Sequence, residues 1–295
     1  MSTQASPAKP AARLGRVGVW SGELRRAAPA ARAEAAAELD ALGYGAIWMP
    51  GGIGGEILAD VRALLDATRR ASVGTGIINI WKHEPAELGA WWRGLPAELQ
   101  ARTMLGLGAS HGPLIGAEYG RPLATMRAFL DGLDAEGVPV QSRCLAALAP
   151  GMLDLSRDRS AGTHPYLVPP EHTAVARARV GPDALVAPEQ GVILETDPAR
   201  AREIARQAVG VYLGLPNYLN NWRRLGYSED DVTGFSDRLC DAVFAWGTTE
   251  QIAARVKAHF DAGADHVCLQ VLRGAPGSDM SLPTRQWREL AAALL

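Results

Sequence analysis

TGIINIWKHEP, residues 75–85, opens as a strand and ends as something else. Ile77, Ile78 and Ile80 are β-branched and apolar, as a buried strand requires. Gly76 stands where a strand wants bulk, and Asn79 puts an amide inside the apolar run. Trp81, Lys82 and His83 follow before Pro85 stops the stretch. Helical sequence lies on both sides: ILADVRALLDATRR (57–70) before it, and PAELGAWWRGLPAEL (85–99), with proline in its first turn, after it. A strand held between two helices is the unit from which parallel α/β folds are built.

The same alternation runs outward in both directions. Upstream, RVGVW (16–20) and AIWMP (46–50) are strands separated by AARAEAAAELDALGY (30–44), which is rich in helix formers and has Gly43 at its end. The loop GGIGGE (51–56) leaves the second strand. Downstream, TMLGLGAS (103–110), RCLAAL (143–148), HPYLV (164–168), ALVAPEQGVIL (184–194) and HVCLQVL (266–272) read as strands four to eight. Helices are expected at 122–137, near 152–158, at 170–181, at 250–264 behind a Thr248–Gln251 capping box, and at 283–295. Asp197, with Pro198 behind it, N-caps a helical region that runs toward Trp246. That region is too long for one helix and implies an insertion in the C-terminal third. Eight strand–helix units without a composition break predict one α/β domain over 14–295, a (β/α)8 TIM barrel; an open doubly wound sheet is the alternative.

The 295 residues carry 30 basic and 32 acidic side chains, a net charge of −2. That balance gives no electrostatic reason to expect nucleic acid or an anionic membrane surface. No apolar run approaches the roughly 18 residues of a membrane span. The start, MSTQASPAKPAAR (1–13), lacks the apolar centre of a signal peptide and reads as a disordered tail on a cytoplasmic protein. Cys144, Cys240 and Cys268 are far apart and suggest neither disulfides nor zinc.

In a barrel the chemistry sits where strands hand over to helices. Those ends are Trp20; Met49 and Pro50; Asn79 to His83; Gly108 to His111; Ala146 to Leu148; Pro169 to Thr173; and Pro188 to Gln190. They hold aromatic, amide, imidazole and small groups. They hold no HxH, no HExxH, no acidic cluster, no Walker A and no GxSxG.

Several segments, in order, resemble one family. GTGIINIW (74–81), LGLGASHGPL (105–114), YLVPPEHTAVAR (166–177), GPDALVAPEQGVILE (181–195) and GTTEQIAARVKAHFDAGADHVCLQVL (247–272) are similar to the bacterial luciferase-like superfamily. They are most similar to its branch of oxidoreductases that use the deazaflavin coenzyme F-420. The resemblance implies a non-proline cis peptide at Gly76–Ile77, in a bulge that backs the deazaflavin ring, with Asn79 at the ring's polar edge. It implies that Gly106 and Gly108, with small Ala109 and Ser110, let a flat ligand approach the backbone. It places His111 where sugar-phosphate dehydrogenases of the branch carry a catalytic glutamate, so His111 is a candidate proton donor. It assigns the coenzyme phosphate to Ala146, Ala147, Glu171, His172 and Thr173, against a helix N-terminus. The residues by themselves also allow plainer roles. Gly76 would make room for a neighbour, Asn79 would cap a turn, His111 would bond a loop carbonyl, and Glu171 would be ordinary N-terminal helix charge.

The chain departs from the sugar-phosphate enzymes of that branch. Pro50 and Gly51 stand where those have an Asp-His pair, and Lys82 and Lys257 are the only lysines beyond the tail. A sugar phosphate is therefore not expected. Trp20, Trp48 and Trp81 suggest an apolar or aromatic small-molecule substrate, while His164, His259 and His266 receive no chemistry. The resulting expectation is an F-420-dependent oxidoreductase that moves a hydride between the cofactor C5 and a small organic substrate. One alternative is an FMN-dependent two-component monooxygenase; the other is a barrel that binds a flavin or deazaflavin without turnover. The resemblance also implies a homodimer, for which ELGAWWRGLPAEL (87–99) could serve as interface or could pack on the barrel.

Overall fold

Short β-branched and aliphatic runs, each closed off by glycine, proline or a helix cap, form ten strands in the computed structural model, which describes residues 9–51 and 56–295. They are β1 (Val17–Trp20), β2 (Ala46–Gly51), β3 (Ser72–Asn79), β4 (Thr103–Gly108), β5 (Arg143–Leu145), β6 (Gly162–Thr163), β7 (Leu185–Val186), β8 (Glu189–Ile193), β9 (Ala245–Trp246) and β10 (Val267–Val271). All pair in parallel, in the order β7-β6-β5-β4-β3-β2-β1-β10-β8-β9. Helices connect them, as parallel pairing demands. Most of the loop GGIGGE lies outside the described residues.

The sheet curls. β7 stands at one end of the order and β8 next to the other end, yet only Ala187 and Pro188 separate them along the chain. Ala187 N–H donates to Thr163 O (2.9 Å) on one side, and Pro188 O accepts from Cys268 N–H (3.1 Å) on the other. The two ends of the sheet therefore meet across this pair, as in a barrel. Proline 188 has no N–H for the ladder, which is why one expected strand, 184–194, becomes two.

Other boundaries also differ from the sequence reading. The sixth strand is Gly162–Thr163, and HPYLV (164–168) is a buried loop crossing the end of the sheet. β4 stops at Gly108 and β5 at Leu145, because the following residues turn out of the ladder. The long region from Pro198 breaks into Pro198–Val209, a 3-10 turn at Gly210–Gly214, Pro216–Arg224, Glu229–Gly234 and Asp237–Val243. These helices hold their own apolar core around Trp222, Phe235, Leu239 and Phe244. Residues 9–13, expected within the tail, are placed: Ala11 N–H donates to Gln141 O (3.0 Å), Arg13 O accepts from Ser72 Oγ (3.0 Å), and Ala12 is buried. Residues 1–8 lie outside the described residues.

The local signals held elsewhere. Gly43 ends its helix at φ 98°, Asp197 caps Arg200 N–H, and Thr248 and Gln251 form both bonds of a capping box. The helix Pro85–Arg93 turns Trp92 into the core, with Trp91 partly buried beside it. Inside the curl, Trp48 stacks on His164 (centroids 4.3 Å apart) and donates to His266 Nε2 (3.0 Å). His266 Nδ1–H donates in turn to Gly15 O (3.0 Å), so the ring is neutral and its tautomer is fixed. The three cysteines are buried and unpaired. Among the described residues no helix is long and apolar enough to cross a membrane.

Candidate functional site

The strands release their C-terminal ends to one rim, and the expected site residues lie along an arc of it. β3 carries one residue more than its neighbours: Gly74 and Ile78 face Met104 and Leu107 on β4, while Met49 and Gly51 on β2 face Thr75 and Ile78. The extra residue makes a bulge, and the peptide Gly76–Ile77 within it is cis. Gly76 and Ile77 are the only partly exposed positions of an otherwise buried strand. A Cβ on Gly76 would overlap the Trp20 indole nitrogen and crowd His164, so glycine is required there for space as well. Trp20 Nε1–H donates to Gly76 O (3.2 Å), which ties the bulge to β1.

Asn79 is buried, and its Oδ1 accepts from Trp81 N–H (3.0 Å), so it does cap a turn. Its Nδ2 makes no hydrogen bond among the described residues. Opposite it on β4 is Gly108. The room left by Gly106 and Gly108 is taken by protein rather than left open. A Cβ on Gly106 would strike Thr75 O, and one on Gly108 would strike the Ile77 side chain. The expected ligand approach over these two glycines is corrected accordingly: they accommodate the bulge of β3. Ala109 O accepts from Trp81 Nε1–H (2.6 Å), and Ser110 adopts a left-handed φ of 52° as the chain leaves the strand.

His111 starts the short turn of helix Gly112–Ile115. The Asn217 amide donates to its Nδ1 (3.2 Å), which leaves the proton on Nε2, and its ring lies 5.1 Å from that of Tyr218. Burial lowers its pKa below the ordinary imidazole value, so it is neutral near pH 7.

The next stretch of the arc is joined by backbone. Ala146 N–H donates to Leu107 O (2.8 Å), and Ala147 is buried behind it. His172, on the helix Pro170–Val180, donates from Nε2 to Leu148 O (3.1 Å). Its Nδ1 is buried without a partner, and burial pushes its pKa down to about 4. Two of the expected phosphate donors are already engaged. His172 N–H donates to Pro169 O (3.0 Å), and the Thr173 hydroxyl is buried against His259 Nδ1 (2.8 Å). His259 Nε2–H passes the chain on to Gln190 Oε1 (2.9 Å), so Thr173 belongs to the packing between helix and sheet. Glu171 is exposed, consistent with helix-end charge. The Arg224 guanidinium acts electrostatically on His172 and adds to the lowering of its pKa.

The rest of the rim was not found in the sequence. Rings run across it from Trp20 to Tyr166 (5.6 Å), Tyr212 (5.5 Å), Tyr218 (5.3 Å) and His111 (5.1 Å). The Tyr166 hydroxyl donates to Gln270 Oε1 (2.8 Å) and accepts from the Tyr212 hydroxyl (3.3 Å). Beneath them Glu189 is buried, with Oε2 accepting from Leu167 N–H (3.2 Å). Among the described residues no His, Cys, Asp and Glu group together as metal ligands. The arrangement is therefore a row of aromatic rings packed on one another, with isolated polar atoms among them.

No family model matches the chain, and no curated protein sequence does. Solved structures do match in fold. An F-420-dependent secondary alcohol dehydrogenase in complex with an F-420–acetone adduct superposes with a TM-score of 0.72 at 13% identity, covering 95% of this chain and 98% of that one. The coenzyme F-420-dependent tetrahydromethanopterin reductase from Methanopyrus kandleri gives 0.72 at 13% identity, covering 96% and 99%. The oxygenating constituent of 3,6-diketocamphane monooxygenase from Pseudomonas putida, in complex with FMN, gives 0.62 at 13% identity, covering 94% and 96%. The fold resemblance expected from the sequence is thus borne out over nearly the whole chain.

Proposed function

We propose that this chain is an oxidoreductase of luciferase-like fold that uses the deazaflavin F-420 and acts on a small organic substrate. Counting β7 and β8 as one strand interrupted at Pro188, and setting β9 outside the ring, leaves eight strands, which supports reading the curled sheet as a (β/α)8 barrel. The observation that carries the reading is the one-residue bulge of β3, which lifts Gly76 and Ile77 to the surface of the rim beside the unpartnered Nδ2 of Asn79. A wall that stands out from a strand, with an amide donor at its edge and aromatic rings across from it, fits a flat heterocycle with a polar rim. At the start of the helix Pro170–Val180 the Arg224 guanidinium supports an anion, whereas the neutral His172, with its proton on Nε2, offers its free Nδ1 only as an acceptor.

When bound, a deazaflavin supplies two-electron hydride chemistry. The protein's own tasks are then to back the ring with Gly76 and Ile77, to hold its edge with Asn79, and to keep water out with Trp20 and the tyrosines. His111 would present a proton on Nε2 toward the substrate. FMN is the second reading of the same site, supported by the likeness to the monooxygenase constituent. Titration of the purified protein with F-420 and, separately, with FMN, followed by ligand fluorescence, tests the choice. Tight binding of the deazaflavin alone, weakened about tenfold in Asn79→Ala by the loss of one hydrogen bond, is expected. Preference for FMN would replace the first reading by the second, and binding of neither would remove both.

A further inference from the structure

Glu189, the first residue of β8, is a buried carboxyl group beneath the aromatic rings to which the proposed function gives no task. Strand alternation fixes its direction. Its neighbour Gln190 points out of the curl, bonding His259 and Val243 O (3.0 Å), so Glu189 points in, beside its register partner Cys268. Leu167 N–H occupies Oε2 (3.2 Å), and Oε1 is buried with no partner at all. The phenols of Tyr166, Tyr212 and Tyr218 and the Cys268 thiol lie within its electrostatic reach; burial above all raises their pKa values, and Glu189 contributes to the rise in each. No lysine or arginine pairs with Glu189 among the described residues.

A carboxyl group buried without a cation is held in its neutral form. Burial pushes Glu189 up to about 8, against the pull of Leu167 N–H. With Oε2 accepting from the backbone, the proton belongs on Oε1, where it finds no acceptor in the protein. A buried donor left unmet is unfavourable, so the atom calls for an oxygen brought by a ligand. An anion would find no cation beside it, and an ammonium group would need the carboxylate that burial disfavours.

We propose that Glu189 is the substrate-orienting group beneath the aromatic rings: its free Oε1 holds the carbonyl or hydroxyl oxygen of an uncharged, largely apolar substrate, whose carbon skeleton lies against Trp20, Tyr166 and Tyr212. The word substrate rests on the oxidoreductase reading; the binding does not.

Calorimetric titration of the cofactor-free protein with cyclohexanone, cyclohexanecarboxylate and cyclohexylamine tests it. Cyclohexanone is expected to bind at about pH 6 at least tenfold better than either charged probe, and to lose affinity about tenfold per pH unit above about 8. The other groups facing this space do not titrate in that window. Tyr166, Tyr212, Tyr218 and Cys268 are raised, while His164 is lowered to about 4 and His111 is lowered too. Glu189→Gln keeps an N–H donor, so it should bind cyclohexanone within a few-fold of wild type and show a flat profile. Glu189→Leu should lose tenfold or more. The wild-type profile decides even if a variant does not fold: a flat profile, no binding of cyclohexanone, or equal binding of the anion overturns the proposal. If F-420 fails to bind while the ketone profile holds, the cofactor reading falls and Glu189 stands. If F-420 binds and the profile is flat, only the role of Glu189 falls.

Discussion

Gly106 shows how little freedom the rim has at the level of single residues. A methyl group there would run into the Thr75 carbonyl, which is backbone and cannot rotate away. Gly106→Ala is therefore expected to cost at least about 3 kcal/mol, read as a lowered urea midpoint. An unchanged midpoint would mean that β3 and β4 are not packed as described. The residues of this bulge were legible in the sequence because their oddity is local: glycine and an amide inside an isoleucine run. Glu189 was not. PEQG reads as a polar strand tip, and only the outward bonds of Gln190 reveal that its neighbour faces in. The tyrosines were invisible for another reason, since Tyr166 and Tyr212 meet across 46 residues of sequence and no short motif contains them. Thr173 misled in the opposite sense: its place at a helix start suggested a ligand, but its hydroxyl is spent on His259.

Among elements, those with strong local signals formed where expected. The helix Thr249–Asp261 begins with Thr248 bonding Gln251 N–H and Gln251 bonding Thr248 N–H (2.8 Å). Thr248→Ala removes the cap and should lower stability by about 1 kcal/mol without altering ligand binding, as a denaturation curve beside a binding titration would show. Loss of binding in that variant would instead tie the helix to the site. The elements that differed did so where tertiary context overrules propensity. HPYLV is apolar because it is buried over the end of the sheet, not because it pairs. Burial without a ladder leaves the same hydrophobic signature as a strand, so periodicity alone could not separate them.

For the whole molecule, buried ionisable groups set a narrow pH range of best stability. His164, His172 and His266 are lowered to about 4 and His259 to about 3, each by burial first. Their neutral forms suit the folded state, so the stability tied to them is present above about 6.5 and is lost as pH falls toward 4. Glu189 acts in the opposite sense. Its folded value is raised to about 8 from 4.5, so its contribution is present below about 4.5 and lost as pH rises through 8. Four groups outweigh one below 6.5, and Glu189 dominates above it, which puts the optimum near pH 6.5. Urea midpoints across pH should show a steep acid decline and a shallow alkaline one, the latter absent in Glu189→Gln; a midpoint constant from about pH 5 to about pH 7 would contradict the histidine assignment. The alternation of strands and helices made the fold class readable, whereas the seam at Ala187 and Pro188 depends on hydrogen bonds to two distant strands. Where that seam joins the sheet to itself, the strand left over is β9, only two residues long, with its Trp246 indole bonded to Asp241 (2.9 Å) and Arg202 over the ring. A ladder so short offers a foreign chain almost nothing to extend, so this large parallel sheet carries a built-in defence against edge-to-edge aggregation.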